Sequence, residues 1–209
     1  MPGALTVMKS ARLNDVLAAI DRENSADPTS VEYRGERLPL ALAEGISAHD
    51  WILRLREDDP RGGPETLLIA ARGHHIRRWE TPRSGYPEGR QGYLAWRRHL
   101  YDVHARHLVR IMSDCGYGEA ELEAVDRIVH KRGMKRDPDV QSYEDAVALA
   151  FFEIQFGPFA DRTERPPLLR AIRKTWRKMS PAGRELVGSI TFPAQLSELV
   201  REAVDDRGE

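Results

Sequence analysis

The apolar positions of this chain recur with a helical period from near its start almost to its end. Leu13, Val16, Leu17 and Ile20 fall three and four apart, which predicts a packing helix beginning near Ala11 and stopped by Asp27-Pro28. Leu40, Leu42, Ile46, Trp51, Ile52 and Leu55 suit one long helix, or two broken near Gly45. The turn DDPRGGP hands over to ETLLIAARGHHIRRWE, an apolar helix that finishes at His74 and His75. TPRSGYPEGRQG, rich in Pro, Gly and Ser, predicts an ordered loop. Beyond it Leu94, Leu100, Val103, Leu108 and Ile111 mark a long helix ending near Gly116. EAELEAVDRIVHKRGMK is a further helix, acidic in its first turn and basic in its last, ending with His130. After a turn at RDPDVQS, the run YEDAVALAFFEIQFGPFA is almost wholly apolar and therefore central, although it carries Glu144, Asp145 and Glu153.

The last third predicts two or three amphipathic helices, punctuated by Ser180-Pro181 and Phe192-Pro193. Arg170, Arg173, Lys174, Arg177 and Lys178 give the first of them a basic face, which reads as solvated. No stretch alternates convincingly enough for a strand, and no solenoid-type repeat is present. The expected fold class is all-α: one helical domain over residues 1–209, with a core spanning about 11–160 and a helical extension over about 165–204.

Composition alters this picture little. A chain of 209 residues with 41% hydrophobic and 31% charged residues can bury a real core, and a net charge of −1 argues against wholesale coating of nucleic acid. Cys115, the single cysteine, excludes an intrachain disulfide and a Cys-rich zinc site, and fits a reducing cytoplasm. No apolar run approaches the ~18–20 residues of a membrane span, and MPGALTVMKSARL lacks the apolar core of a signal peptide. A cytoplasmic protein without a membrane partner is expected. Neither a P-loop, nor a dinucleotide fingerprint, nor a Gly-x-Ser-x-Gly elbow occurs, and Cys115 has no recognisable base beside it.

Candidate chemistry concentrates between Arg72 and His107, which hold five of the seven histidines: His74, His75, His99, His104 and His107. Arg72, Arg77, Arg78, Arg83, Arg90, Arg97 and Arg98 oppose only Glu80 and Glu88 up to Arg98, a local excess of about +5. Guanidinium forks hold phosphate or carboxylate in pairs of hydrogen bonds, and Trp79, Tyr86, Tyr93 and Trp96 offer flat faces. The alternative is a structural network of these arginines with Glu144, Asp145 and Glu153. RNA would suit the same basic and aromatic composition, but the patch is short and the rest of the chain does not extend it.

The order His49, His74-His75, His104, His130, Asp145 resembles that of the HD-domain superfamily of helical metal-dependent phosphohydrolases. LLIAARGHHI looks like its pair-bearing helix, with His75 where the family has Asp, so a single-metal or metal-free pocket replaces the two-metal site. A closer resemblance covers almost the whole chain. RLNDVLAAIDREN, HHIRRWETPRSGYPEGRQGYLAWRRHLYDVHA, DPDVQSYEDAVALAFFE and RAIRKTWRKMSP look like an uncharacterised bacterial and fungal family, some of whose members are labelled glutamyl-tRNA synthetase. That resemblance implies no established activity. Its motif falls on His75, Arg77, Arg78, Trp79, Pro82, Arg83, Tyr86 and Pro87, then on Arg90, Tyr93, Trp96, His104, Glu144 and Asp145.

Together these readings imply a metal-dependent hydrolase acting on a phosphorylated or nucleotide-like small molecule. His75, His104 and Asp145 are the expected ligands of a divalent ion (Mn, Fe, Zn, Co or Ni), with His49 and His130 as further candidates. Glu144 and His74 are the expected catalytic groups, and Arg77, Arg78, Trp79, Arg83, Tyr86 and Arg90 the expected substrate contacts. An HD-type di-iron oxygenase and a non-enzymatic anion- or tRNA-binding module are the alternatives.

Overall fold

The computed structural model of the chain describes residues 10–59 and 62–205. The charged tail Asp206–Glu209 and the first nine residues, part of the stretch read above for a signal peptide, lie outside them. Ten α-helices carry the described residues: α1 (Ala11–Asn24), α2 (Leu40–Leu55), α3 (Glu65–Arg72), α4 (Gly89–Asp114), α5 (Glu119–Val129), α6 (Pro138–Ala150), α7 (Phe156–Asp161), α8 (Arg165–Lys178), α9 (Pro181–Val187) and α10 (Ala194–Asp205). The all-α class expected from the periodicity is the observed one.

Starts are set by local chemistry. Ser10 Oγ accepts from Leu13 N–H at 3.2 Å, Asp137 caps α6 ahead of Pro138, and Ser180 caps α9 ahead of Pro181. Each side-chain acceptor satisfies a backbone donor that the first helical turn leaves unpaired. Asp137 and Pro138 start α6 five residues before the helix expected at Tyr143, so RDPDVQS is largely helical and not a turn.

Helix α2 lies at the centre, packed against α3 and α6, with α1 alongside; α5 packs on α3 and α4, and α10 on α8. It runs unbroken through Gly45. This glycine is a crossing point: a Cβ there would stand 2.3 Å from the Arg72 carbonyl oxygen, at the end of α3. One apolar core joins the elements, from Leu13 and Ile20 through Ile52, Leu68, Leu108 and Ile128 to Leu149, Phe156 and Ile172.

Two features depart from the expected pattern. A hairpin of β1 (Ser30–Tyr33) and β2 (Glu36–Pro39) precedes α2, with Tyr33 paired to Glu36. Its two turn residues, Arg34 and Gly35, have φ of 53° and 82°, the left-handed pair that a two-residue hairpin needs. Tyr33 packs with Ala43 and Ile154 beside the main core. Secondly, the central apolar run is not one α-helix: a π turn, Phe151–Gln155, separates α6 from α7. Such a turn widens the helix by a residue and commonly marks a functional site.

The close crossing predicts that Gly45→Ala destabilises the protein by about 1–3 kcal/mol, because the added methyl group must push two backbones apart. Urea unfolding of the two proteins measures this, and an unchanged midpoint would remove the crossing from the account.

Candidate functional site

Three elements deliver one cluster. Glu44 comes from α2, one residue before the Gly45 crossing, while His74 and His75 follow Gly73 at the end of α3. One donor atom from each of the three lies within 4.8 Å of the others. Donors about a single zinc-like ion each sit about 2.0–2.2 Å from it, so only a small contraction would bring this set onto one ion. Among the described residues no other group of three His, Cys, Asp or Glu converges in this way.

The hydrogen bonds fix which nitrogens are available. His74 Nδ1 faces the Ala71 carbonyl at 2.9 Å, so it carries the proton and leaves the Nε2 lone pair open. His104, from α4, repeats the arrangement: Nδ1 donates to the Ile76 carbonyl at 2.8 Å, and Nε2 is buried with no partner. His75 is held from both sides, with Glu44 Oε2 2.7 Å from its Nδ1 and Arg78 Nη1 3.1 Å from its Nε2. Glu44 also accepts from Gln155, which the π turn presents. The rings of His74 and His75 are 4.2 Å apart, and those of His75 and His104 6.1 Å. A cavity of about 20 Å³ is lined by all three imidazoles with Tyr101 and Lys131, room for one water-sized occupant.

Burial tunes these groups. It pushes the Glu44 carboxyl up to about 7, against the opposing pull of His74 and Arg78. Burial likewise lowers His74 and His104 to about 3, and His75 well below the usual imidazole range. All three imidazoles are therefore neutral at physiological pH, the form that ligates a metal.

The cluster opens into a cleft of about 1110 Å³. Eight cations line it (Arg78, Arg83, Arg97, Arg98, Lys131, Arg162, Lys174 and Lys178) against two carboxylates, Glu44 and Glu144. Arg78 lies 4.9 Å over the Trp96 ring, and Trp96 Nε1 donates to the Thr81 carbonyl at 2.9 Å, which fixes the ring and through it the guanidinium. Arg97 donates to the Tyr101 hydroxyl at 2.7 Å, one helical turn along α4. Burial raises the Tyr101 phenol, but Lys131 and Arg97 outweigh it and the net shift is downward. Lys131, at a φ of 57°, bonds Glu144, which also takes Lys178 at 3.3 Å. A left-handed lysine is strained backbone, and its place is on the cleft wall.

Several expected site residues stand elsewhere. Asp145 Oδ1 accepts from Ser180 N–H at 2.9 Å and Gln141 Nε2 at 3.1 Å, tying α6 to the start of α9. It is one residue from Glu144, hence turned about 100° around the helix, and only one of the pair can face the cleft. His49 faces Asp50, with 3.5 Å between Nδ1 and Oδ1, and His130 is held by Asp102 and the Asp126 carbonyl, both at 2.9 Å. None of these three joins the cluster. Glu144 lines the cleft, yet its role is that of counter-ion: burial raises its carboxyl, but Lys131 and Lys178 prevail and hold it below the usual range, which makes it a poor base near neutrality.

Of the expected substrate contacts, Arg78 and Arg83 line the cleft. Arg83 spends its guanidinium on the loop itself, donating to the Tyr86 and Pro87 carbonyls at 2.9 and 2.8 Å. Arg77 pairs with Glu80 and Glu23, Tyr86 stacks toward His99 at 6.0 Å, Arg90 is exposed at the start of α4, and Trp79 is half-buried off the cleft. The basic face of α8, read as solvated, instead supplies Lys174 and Lys178 to the cleft. The structural network weighed for the arginines does not form with Asp145 or Glu153; Glu153 accepts from Ser47 and Trp51.

The fold and site thus define an all-α protein with a His/Glu cluster at the base of a basic cleft. A family model described as a domain of unknown function (DUF4202) matches residues 14–200, and the chain belongs to that family. No curated protein and no solved structure matches it. No described helix is long and apolar enough to cross a membrane.

Lys131→Met leaves Glu144 buried beside the more exposed Lys178 alone, and is expected to cost about 3 kcal/mol at pH 7. The lowered carboxyl of Glu144 contributes stability above its unfolded value that is lost as pH falls through the folded one. Without Lys131 that folded value rises, so the deficit of the variant should shrink as pH falls below 5 or so. Denaturation of both proteins between neutral and acid pH measures it, and a pH-independent deficit would contradict the assignment.

Proposed function

We propose that this protein is a hydrolase dependent on a single divalent metal ion, acting on a phosphorylated small molecule. The observation that carries the reading is the convergence of Glu44, His74 and His75 beside the open Nε2 of His104, at the base of a cleft whose eight cations outnumber its two carboxylates. Neutral imidazoles with a carboxylate suit Zn, Mn, Fe, Co or Ni, and one convergent group among the described residues supports one ion over the pair that a di-iron oxygenase needs. The likeness to HD-domain phosphohydrolases enters as chemistry alone: histidines at helix ends gathered about an ion.

Glu44, His74 and His75 would hold the ion, and His104 faces the small cavity that His74 and His75 also line. When bound, it supplies Lewis-acid polarisation of a phosphoryl oxygen and lowers the pKa of water beside it. The chain's own residues do the rest. Arg78, braced by Trp96, and Arg97, braced by Tyr101, present guanidinium forks to the anion, Gln155 orients the Glu44 carboxylate, and Arg78 would give up His75 Nε2 to the ion. Lys131 offsets negative charge as it develops. A concave cleft of about 1110 Å³ favours a small molecule over RNA, which calls for an extended basic stripe.

The test is elemental analysis of protein purified without nickel resin or chelator, together with hydrolysis of an aryl phosphate. About one equivalent of metal is expected, lost along with turnover in Glu44→Gln and His75→Ala, while Arg97→Ala should mainly raise KM. Metal-free protein that gains neither stability nor activity from any of the five ions would sink the proposal.

A further inference from the structure

The cleft carries more positive charge than the His/Glu cluster can use. One face of α6 and the π turn forms part of its wall: Glu144, Val147, Ala148, Phe151 and Gln155 share the helical i, i+3, i+4, i+7, i+11 spacing and all line it. The two polar ends of this face serve different partners. Gln155 bonds Glu44 in the cluster, whereas Glu144 takes Lys131 and Lys178. The two ends lie eleven positions apart, about 16 Å of helix at 1.5 Å per residue, and the cleft-lining positions between them, Val147, Ala148 and Phe151, are apolar. Lys178 and Lys174 stand one turn apart on α8, and neither contacts Glu44, His74 or His75. Among the described residues Lys174 pairs with no carboxylate, and Glu144 is the only acid that Lys178 meets. At the mouth Tyr93 and Leu94 are 40% and 44% exposed, adding apolar surface to the same cleft.

We infer that Lys174 and Lys178 form a second anion subsite, so that the ligand of this cleft is a bis-anion: one phosphate toward the His/Glu cluster, a second anionic group on α8, and an apolar body between them. The inference rests on the proposed function only for the identity of the first end. Lys178 shares Glu144 with Lys131, and Lys174 has no carboxylate of its own, so three lysines against one acid leave net positive charge that a second anionic group neutralises. A ligand anchored at both ends gains from the second contact without a second loss of translational freedom. The apolar positions of α6 and the π turn exclude a ligand charged throughout its length, because charge against Val147, Ala148 and Phe151 would lose its hydration without replacement.

The test is calorimetric titration of the metal-free protein with hexane-1,6-diyl bisphosphate, hexyl phosphate and pyrophosphate. Metal content is measured separately, so failure of the metal reading and failure of this one are told apart. The long bisphosphate is expected to bind at least tenfold more tightly than either shorter probe. Lys174→Ala should remove that advantage and leave hexyl phosphate unchanged; this exposed lysine has no pair to break, so the variant keeps the fold. Lys174→Ala/Lys178→Ala should act in the same direction. Equal affinity for the three probes, an unchanged bisphosphate affinity in Lys174→Ala, or tighter binding of a short RNA than of the bisphosphate would overturn the inference.

Discussion

A carboxylate buried to 3% exposure inside a helical core imposes the main constraint on this molecule. Glu44 cannot be left alone there, since an unpaired charge in the interior costs several kcal/mol or neutralises itself. Its partners come from two other elements: His75 from the turn after α3, and Gln155 from the π turn after α6. Gly45 permits the approach by letting the α3 terminus cross α2 at backbone distance. The crossing, the histidine turn and the π turn thus meet at one polar point. The site belongs to the core packing of α2, α3 and α6.

From that point outward the electrostatics change character. Within the cluster, burial keeps imidazoles neutral and the carboxyl near its midpoint at neutral pH. In the cleft beyond, cations outnumber acids, and the aromatic residues act chiefly as braces: Trp96 under Arg78, Tyr101 against Arg97, with Lys131 5.4 Å from the Tyr143 ring. A neutral ligand set beneath a cationic wall is an arrangement for polarising an anion while holding it.

Much of this was legible in the sequence, for identifiable reasons. The apolar run before Gly73 announces a buried helix ending in two histidines, and Leu100 and Leu108, four residues either side of His104, put it on the inward face of α4, although Leu94 of the same stripe is exposed. Glu44 was illegible because nothing in its neighbourhood distinguishes it from a surface acid; burial comes from α3, distant in sequence. Lys131 reads as an ordinary basic residue closing a helix, and Lys174 and Lys178 as a solvated stripe, because the cleft they line exists only once α8 packs near α6. Asp145 misled for the converse reason: the motif marks both acids, but one helical step sends it to Ser180. The hairpin escaped because strands of four residues barely alternate and its turn uses Arg-Gly.

The central claim is that Glu44, His74 and His75 hold one divalent ion, and anomalous diffraction from crystals grown with cobalt or manganese tests it most directly. The account predicts a single anomalous peak within about 2.0–2.3 Å of a donor atom from each of the three residues, with His104 facing it. A peak ligated instead by Asp145, His49 or His130, or no peak in crystals holding the metal at several times its dissociation constant, would contradict it.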